Sequence, residues 1–142
     1  MEQRAFETHA DSFATSDASS GYKYPIVFPK GYVWCIDSFF VLAHTNYAAA
    51  ATHYQTFTLA DASANNIASV ANGPSSGGLA IGPAVATGID ETMTAAYKYI
   101  DCTAEAKTCY VFTAATSNGL AMIGLKFVVM ATPRRKAGAS IS

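Results

Sequence analysis

The side chains with the most chemical potential in this 142-residue chain are three cysteines and three histidines. Cys102 and Cys109 bracket the stretch "CTAEAKTC", with apolar runs on either side. Such a pair can be a metal knuckle, a redox couple or a stapled turn. A zinc knuckle uses C-x₂₋₄-C together with a second ligand pair, and no second pair occurs. The redox spacing C-x-x-C is also missing. If residues 103–108 form a hairpin loop, the two cysteines stand opposite each other. Opposed Cα atoms in an antiparallel pair are about 4.5–5.5 Å apart, within disulfide reach. Two readings stay open: free thiols, or a hairpin disulfide Cys102–Cys109 worth roughly 2–3 kcal/mol. Cys35 sits inside "YVWCIDSFF" and reads as a small core hydrophobe.

His9, His44 and His53 share no metal-ligand spacing. His44 and His53 flank one loop and read as surface residues. Cys35, Asp37 and His44 contain the residue types of a thiol triad, yet Cys35 and Asp37 share a strand face with no base between them. The glycine-rich "GPSSGG" (73–78) lacks the G-K-[ST] ending of a phosphate loop and reads as a flexible tip. G-x-S-x-G, H-E-x-x-H and EF-hand patterns are absent. The acidic pairs Asp90-Glu91 and Asp101/Glu105 read as solvated turns. The expectation is a protein that is not an enzyme, with no catalytic, metal-ligating or cofactor-binding residues.

Composition points to contact rather than chemistry. Hydrophobic residues make up 51% and charged residues only 13%, about half the usual charged fraction of roughly 25%. Eight Tyr and eight Phe accompany many small residues. A surface so poor in charge suits cover by a partner or by further copies, and the expectation is a homo-oligomer, taken as a trimer. The net charge of −1 gives no global reason to expect nucleic acid. The ends differ: Glu2, Glu7, Asp11 and Asp17 face one Arg4 in residues 1–20, while Arg134, Arg135 and Lys136 lie in the last ten. These ends read either as contacts to neighbours or as solvated tails. The N-terminus lacks an apolar signal region. The longest apolar run, "LAMIGLKFVVMA" (120–131), is too short to span a membrane and contains Lys126. Three cysteines are too few for a secreted disulfide scaffold, so synthesis in a reducing cytoplasm is expected.

The elements that must position these residues read as strands. Residues 1–21 show no sustained period and are expected to form an extended arm, with Phe6 and Phe13 as docking anchors or tucked onto their own domain. The domain itself spans 22–132. A Pro-Lys-Gly turn precedes "YVWCIDSFFVLA" (32–43), whose two faces are both largely apolar, as in a strand buried on both sides. Further strands are expected at 54–60, 67–70, 79–86, 93–100, 109–115 and 120–131, and 44–53 reads as a long loop. In 93–100 the alternation places Met93, Ala95, Tyr97 and Tyr99 on one face. Residues 133–142 read as a basic flexible tail. Seven or eight strands with regular turn signals and no convincing helix imply an all-β fold, an antiparallel β-sandwich or jelly roll with an N-terminal arm.

The stretches "VFPKGYVWCIDSFFVLA" and "YKYIDCTAEAKTCYVFTAA…GLAMIGLKFVVMA" resemble the small decoration, or cement, proteins of tailed-phage heads. The resemblance covers residues 22–131. It implies a structural role on the capsid surface of a virion, as trimers binding across subunits of the major capsid protein after synthesis in the host cytoplasm. No membrane contact is implied. Phe6 and Phe13 would anchor the arm on a neighbour. Arg134, Arg135 and Lys136 would meet acidic capsid surface, or nucleic acid if the tail faces inward. A fibre or receptor-binding module is the alternative, with a sugar groove lined by Trp34 or exposed tyrosines.

Overall fold

The computed structural model describes residues 2–13, 23–44, 55–71, 93–115 and 122–135. Among them are eight strands and no helix: β1 (Arg4–Phe13), β2 (Lys23–Phe28), β3 (Val33–Ala43), β4 (Gln55–Ala60), β5 (Asn66–Ala71), β6 (Tyr99–Asp101), β7 (Lys107–Ala115) and β8 (Met122–Arg134). They form two four-stranded sheets, in the orders β1-β8-β3-β6 and β2-β7-β4-β5, with every pairing antiparallel. The pairs β1/β8, β2/β7, β3/β6 and β4/β5 are nested in sequence, as if one long hairpin had been rolled up. Cross-pairs β3/β8 and β4/β7 then close each sheet. This is a jelly roll.

The core lies between the sheets. Trp34, Phe28, Phe39, Phe57 and Phe127 are its largest fully buried side chains. The Phe127 ring centroid is 5.6 Å from that of Tyr24 and 5.4 Å from that of Phe57, so it bridges the two layers. The expected Pro-Lys-Gly turn is present, with Gly31 at φ 122, a value only glycine adopts without strain. The Trp34 indole N–H donates to the Pro29 carbonyl at 3.0 Å and ties this turn to the core.

The expectation that β3 is buried on both faces holds at Trp34, Cys35 and Ile36, which are buried in succession, and is corrected by the register beyond them. Trp34 and Ile36 are buried, but so are Phe39, Val41 and Ala43, which have the opposite parity. A bulge between Ile36 and Ser38 supplies the change of phase. One extra residue at Asp37 turns the second half of the strand over. Every apolar residue named then faces a buried residue of β8: Trp34 with Pro133, Ile36 with Ala131, Phe39 with Val129, Val41 with Phe127 and Ala43 with Leu125. Asp37 itself is exposed, and its carboxylate accepts hydrogen bonds from Thr132 Oγ1 at 2.6 Å and Gln3 Nε2 at 2.8 Å.

Other boundaries also move. Residues 4–13, expected in the arm, are a strand of the sandwich paired with β8 from Arg4↔Ala131 to Phe13↔Met122. Their period is weak because β1 is an edge strand: among residues 2–9, residues 2–5, Glu7 and His9 are exposed and Phe6 and Thr8 are half-buried. Residues 133 and 134, expected in the basic tail, complete β8. Of the strand expected over 93–100, only the end is a strand. Thr94–Tyr97 is a turn closed by the Tyr97 N–H on the Thr94 carbonyl at 3.0 Å. A period of two over so few residues does not separate a strand from a turn. The loop at 45–53, the strand at 79–86, the tip at 73–78, Asp90-Glu91 and His53 lie outside the described residues.

Two expected outcomes follow. Deleting Asp37 puts Phe39, Val41 and Ala43 on the wrong face and abolishes cooperative unfolding, whereas Asp37→Asn costs under about 1 kcal/mol because the site is exposed. Phe6→Ala costs about 2 kcal/mol, less than a fully buried phenylalanine because Phe6 is only half-buried. Urea denaturation measures both.

Candidate functional site

The residues expected to dock partners are distributed by the strands that carry them. Phe6 does not project as an anchor. Its ring packs on the protein's own core, 4.8 Å from Phe28 and 5.0 Å from Trp34 between centroids, the latter edge-on. Arg4 covers the outer side of this group, with its guanidinium carbon 5.7 Å from the Trp34 ring centroid. Trp34 is wholly buried, so it lines no sugar groove. Phe13 closes β1, and Lys136 lies outside the described residues. Arg134 and the exposed Arg135 stand at the end of β8.

Arg134 meets a side chain that the sequence had not marked as a site. Its guanidinium carbon lies 5.7 Å from the Tyr99 ring centroid, and Lys98 Nζ lies 5.4 Å from the same ring. Tyr99 is 46% exposed on the edge strand β6, and neighbouring Tyr97 is 40% exposed. The only cue in the sequence was the run "YKYI", which reads equally as a strand face. A second aromatic group lies on the outward face of the other sheet. Tyr110 and Phe112 have centroids 6.3 Å apart, and Lys23 Nζ sits 3.8 Å from the Tyr110 ring centroid. Lys23 reaches it because β2 pairs with β7 through Lys23↔Phe112 and Pro25↔Tyr110.

Between Tyr99 and Tyr110 lies a cleft of about 500 Å³ at one end of the sandwich, lined also by Asp61, Asp101, Glu105 and Lys107. Two of its carboxylates serve their own turns. Asp61 accepts from the backbone N–H groups of Ser63 and Asn65 at 2.9 Å each and from Asn65 Nδ2 at 3.0 Å. Asp101 accepts from the Thr103 N–H at 3.0 Å and its hydroxyl at 2.5 Å. These bonds shape the rim, and Glu105 and Lys107 supply its exposed charge.

The hairpin expected at Cys102 and Cys109 is not formed. β6 belongs to one sheet and β7 to the other, so residues 102–106 cross between the sheets. Instead of meeting its neighbour across a hairpin, Cys102 pairs with the first turn: its N–H donates to the Tyr32 carbonyl at 2.9 Å and its carbonyl accepts from the Gly31 N–H at 2.8 Å. All three cysteines are free and buried. Cys102 and Cys109 join the core cluster, while Cys35 is buried outside it. Burial pushes the Cys109 thiol up to about 12, with the charges of Asp61 and Cys102 adding to the effect. Burial also raises Cys102, opposed by the Lys107 N–H and the Lys107 charge. Both thiols therefore stay protonated at neutral pH and are poor nucleophiles.

On the outer face of the first sheet, Glu7 and Lys126 form an ion pair of 2.8 Å, which holds the Glu7 carboxyl below its usual range. His9, His44 and Lys126 line a shallow pocket beside it, reached because His9 pairs with Lys126 across β1/β8. No cluster of three or more potential metal ligands occurs among the described residues. Comparison with protein-family models, with curated proteins and with solved structures found no match.

The thiols yield a pH prediction. An unfolded cysteine ionises near 9, whereas folded Cys109 holds its proton to about 12. The folded state therefore binds this proton more tightly, and the stability it contributes is full below pH 9. That stability declines as pH rises toward 12, by at most about 1.4 kcal/mol per pH unit. Denaturation across that range should show a shallower decline for Cys109→Ala than for the unaltered protein.

Proposed function

We propose that this chain is a non-enzymatic structural protein of a virion, which decorates or cements the capsid shell by binding across its subunits. The observation that carries the reading is the jelly-roll strand order, joined to rows of apolar side chains on the outward sheet faces, interrupted by Glu7 and Lys126 on one and Lys23 on the other. Jelly rolls recur in viral shells and in lectins, and the fold alone does not choose between them. The faces favour the shell. With Phe39, Val41, Phe127 and Val129 buried, alternation turns Phe40, Leu42, Val128 and Met130 outward, all half-buried, with Phe40 opposite Val128 and Leu42 opposite Lys126. The other sheet turns out Tyr110, Phe112 and Val27, the last 56% exposed. Such rows suit contact with further copies or with a flat partner.

In this reading the protein acts as a homo-oligomer, a trimer, on the capsid surface. The major capsid protein is its partner, and its site of synthesis is the host cytoplasm. Arg134, Arg135 and Lys136 provide the one basic stretch able to meet acidic capsid surface or nucleic acid. A second reading, a fibre or receptor-binding module for carbohydrate, is favoured by the cleft between Tyr99 and Tyr110. It does not involve Trp34.

Quantitative mass spectrometry of purified particles separates the two. A shell role gives on the order of hundreds of copies per particle, whereas a fibre gives a few dozen at most, in keeping with the symmetry of each assembly. Absence of the chain from particles overturns both.

A further inference from the structure

The four sheet edges are unequally protected. β6 is three residues long, β2 begins with Lys23 and carries Pro25, and β5 is six residues long. β1 has ten residues, with no proline, glycine or lysine, and its pairing with β8 keeps one register throughout. Natural edge strands are usually blunted by short length, by Pro, by charged side chains, Lys above all, or by a bulge, because an open row of N–H and C=O groups templates another strand; β1 keeps the charges Arg4, Glu7 and Asp11, which a partner strand must match. Among the described residues, β1 has β8 on one side and no strand on the other.

We propose that β1 pairs with β1 of a second copy, antiparallel about a two-fold axis through Thr8, so that two four-stranded sheets become one continuous sheet. This contact stands on the edge itself and does not depend on the shell reading; trimers formed through another surface are joined by it into larger assemblies with an even number of chains.

The register follows from the sequence of the strand. A two-fold contact that continues the sheet must place residues of equal parity opposite each other, since neighbours across a pair point to the same face. An axis through Glu7 sets that carboxylate against its own copy. An axis through His9 sets Glu7 opposite Asp11, again like against like. An axis through Thr8 sets Glu7 opposite His9 twice, once on each side. There the carboxylate accepts and the imidazole donates, whether the imidazole is neutral or charged. It also overlaps nearly the whole strand, with Arg4 opposite Ser12. Glu7 and His9 are both exposed on the free protein, and Lys126, already 2.8 Å from Glu7, adds a cation beside the same carboxylate. Opposite-sign partners directly across a pair are favourable and like charges are not, so this register is selected over its neighbours.

The test uses the full chain. Thr8→Cys places a thiol at the axis, where facing Cα atoms are about 4.5–5.5 Å apart and a disulfide can close. Ala5→Cys faces residue 11 of the other copy and has no thiol opposite. Under mild oxidation the first variant should run as a covalent dimer and the second should not. The three native cysteines are buried and leave the background low. Sedimentation of the unaltered protein at about 100 µM should show dimers or larger species containing them, and His9→Glu, which sets carboxylate against carboxylate, should weaken association at least about tenfold. Exchanging the pair with Glu7→His and His9→Glu together should restore it. A monomer at that concentration, equal cross-linking of both cysteine variants, or an association that ignores His9→Glu in a protein of unchanged circular dichroism overturns the proposal.

Discussion

The pairing of β3 with β8 is the constraint on which the rest of the molecule depends. These are the two longest strands, of 11 and 13 residues, and they lie side by side at the centre of one sheet. Their inward residues contribute Trp34, Ile36, Phe39, Val41, Phe127, Val129 and Ala131 to the core. That list is possible only because Asp37 inserts one residue where the strand would otherwise present half its apolar side chains to water. The cost of the bulge is a local break in the ladder. It is offset by the Asp37 carboxylate, which draws Thr132 of β8 and Gln3 beside β1 to the same point. The bulge thus sets the phase of β3 and helps seat the edge strand next to β8.

Everything at the described end of the sandwich takes its place from this arrangement. Trp34 is held under the first turn by its bond to Pro29, and Phe6 of β1 closes over it from the side. The crossing segment 102–106 is tied back to Gly31 and Tyr32. Cys102 in this segment and Cys109 in β7 consequently fill space in the core, and burial raises both thiols. The aromatic and cationic side chains left outside the core, Tyr99 with Lys98 and Arg134, and Tyr110 with Lys23, stand at the sheet edge and on the sheet face, where a partner can reach them. Among the described residues, the outward faces carry Phe40, Leu42, Tyr110 and Phe112 beside Lys126 and Lys23, β1 has no strand on its far side, and tyrosines and charges rim a cleft.

A good part of the strand content was legible from local chemistry. The runs "YQTFTLA", "CYVFTAA" and "LAMIGLKFVVMA" became β4, β7 and β8 because β-branched and aromatic residues there lie between clear turn signals. The Pro-Lys-Gly turn was legible for the same reason, since Gly31 occupies a conformation that other residues resist. The site was much less legible. Tyr99 and Arg134 are far apart in the chain and meet only because β3 lies between their strands. The cleft likewise joins the turn at Asp61 to residues 99–110. No spacing rule links such positions.

The sequence by itself determined that the chain is all-β, that its core is aromatic and aliphatic, and that its cysteines lack a metal-binding pattern. These follow from composition, period and spacing, which act over a few residues. The tertiary structure alone decided three other matters. Residues 4–13 became a strand because β8 offered them a partner, although their own pattern is too polar to announce one. The large apolar residues of β3 came to one face, with only Cys35 buried on the other, because a bulge costs less than exposing Phe39 and Val41. Cys102 and Cys109, which looked like opposite sides of a hairpin, went to different sheets, because nested pairing sends β6 to β3 and β7 to β2 and β4. In each case the deciding interaction joins residues distant in sequence, and its free energy is invisible to any local window.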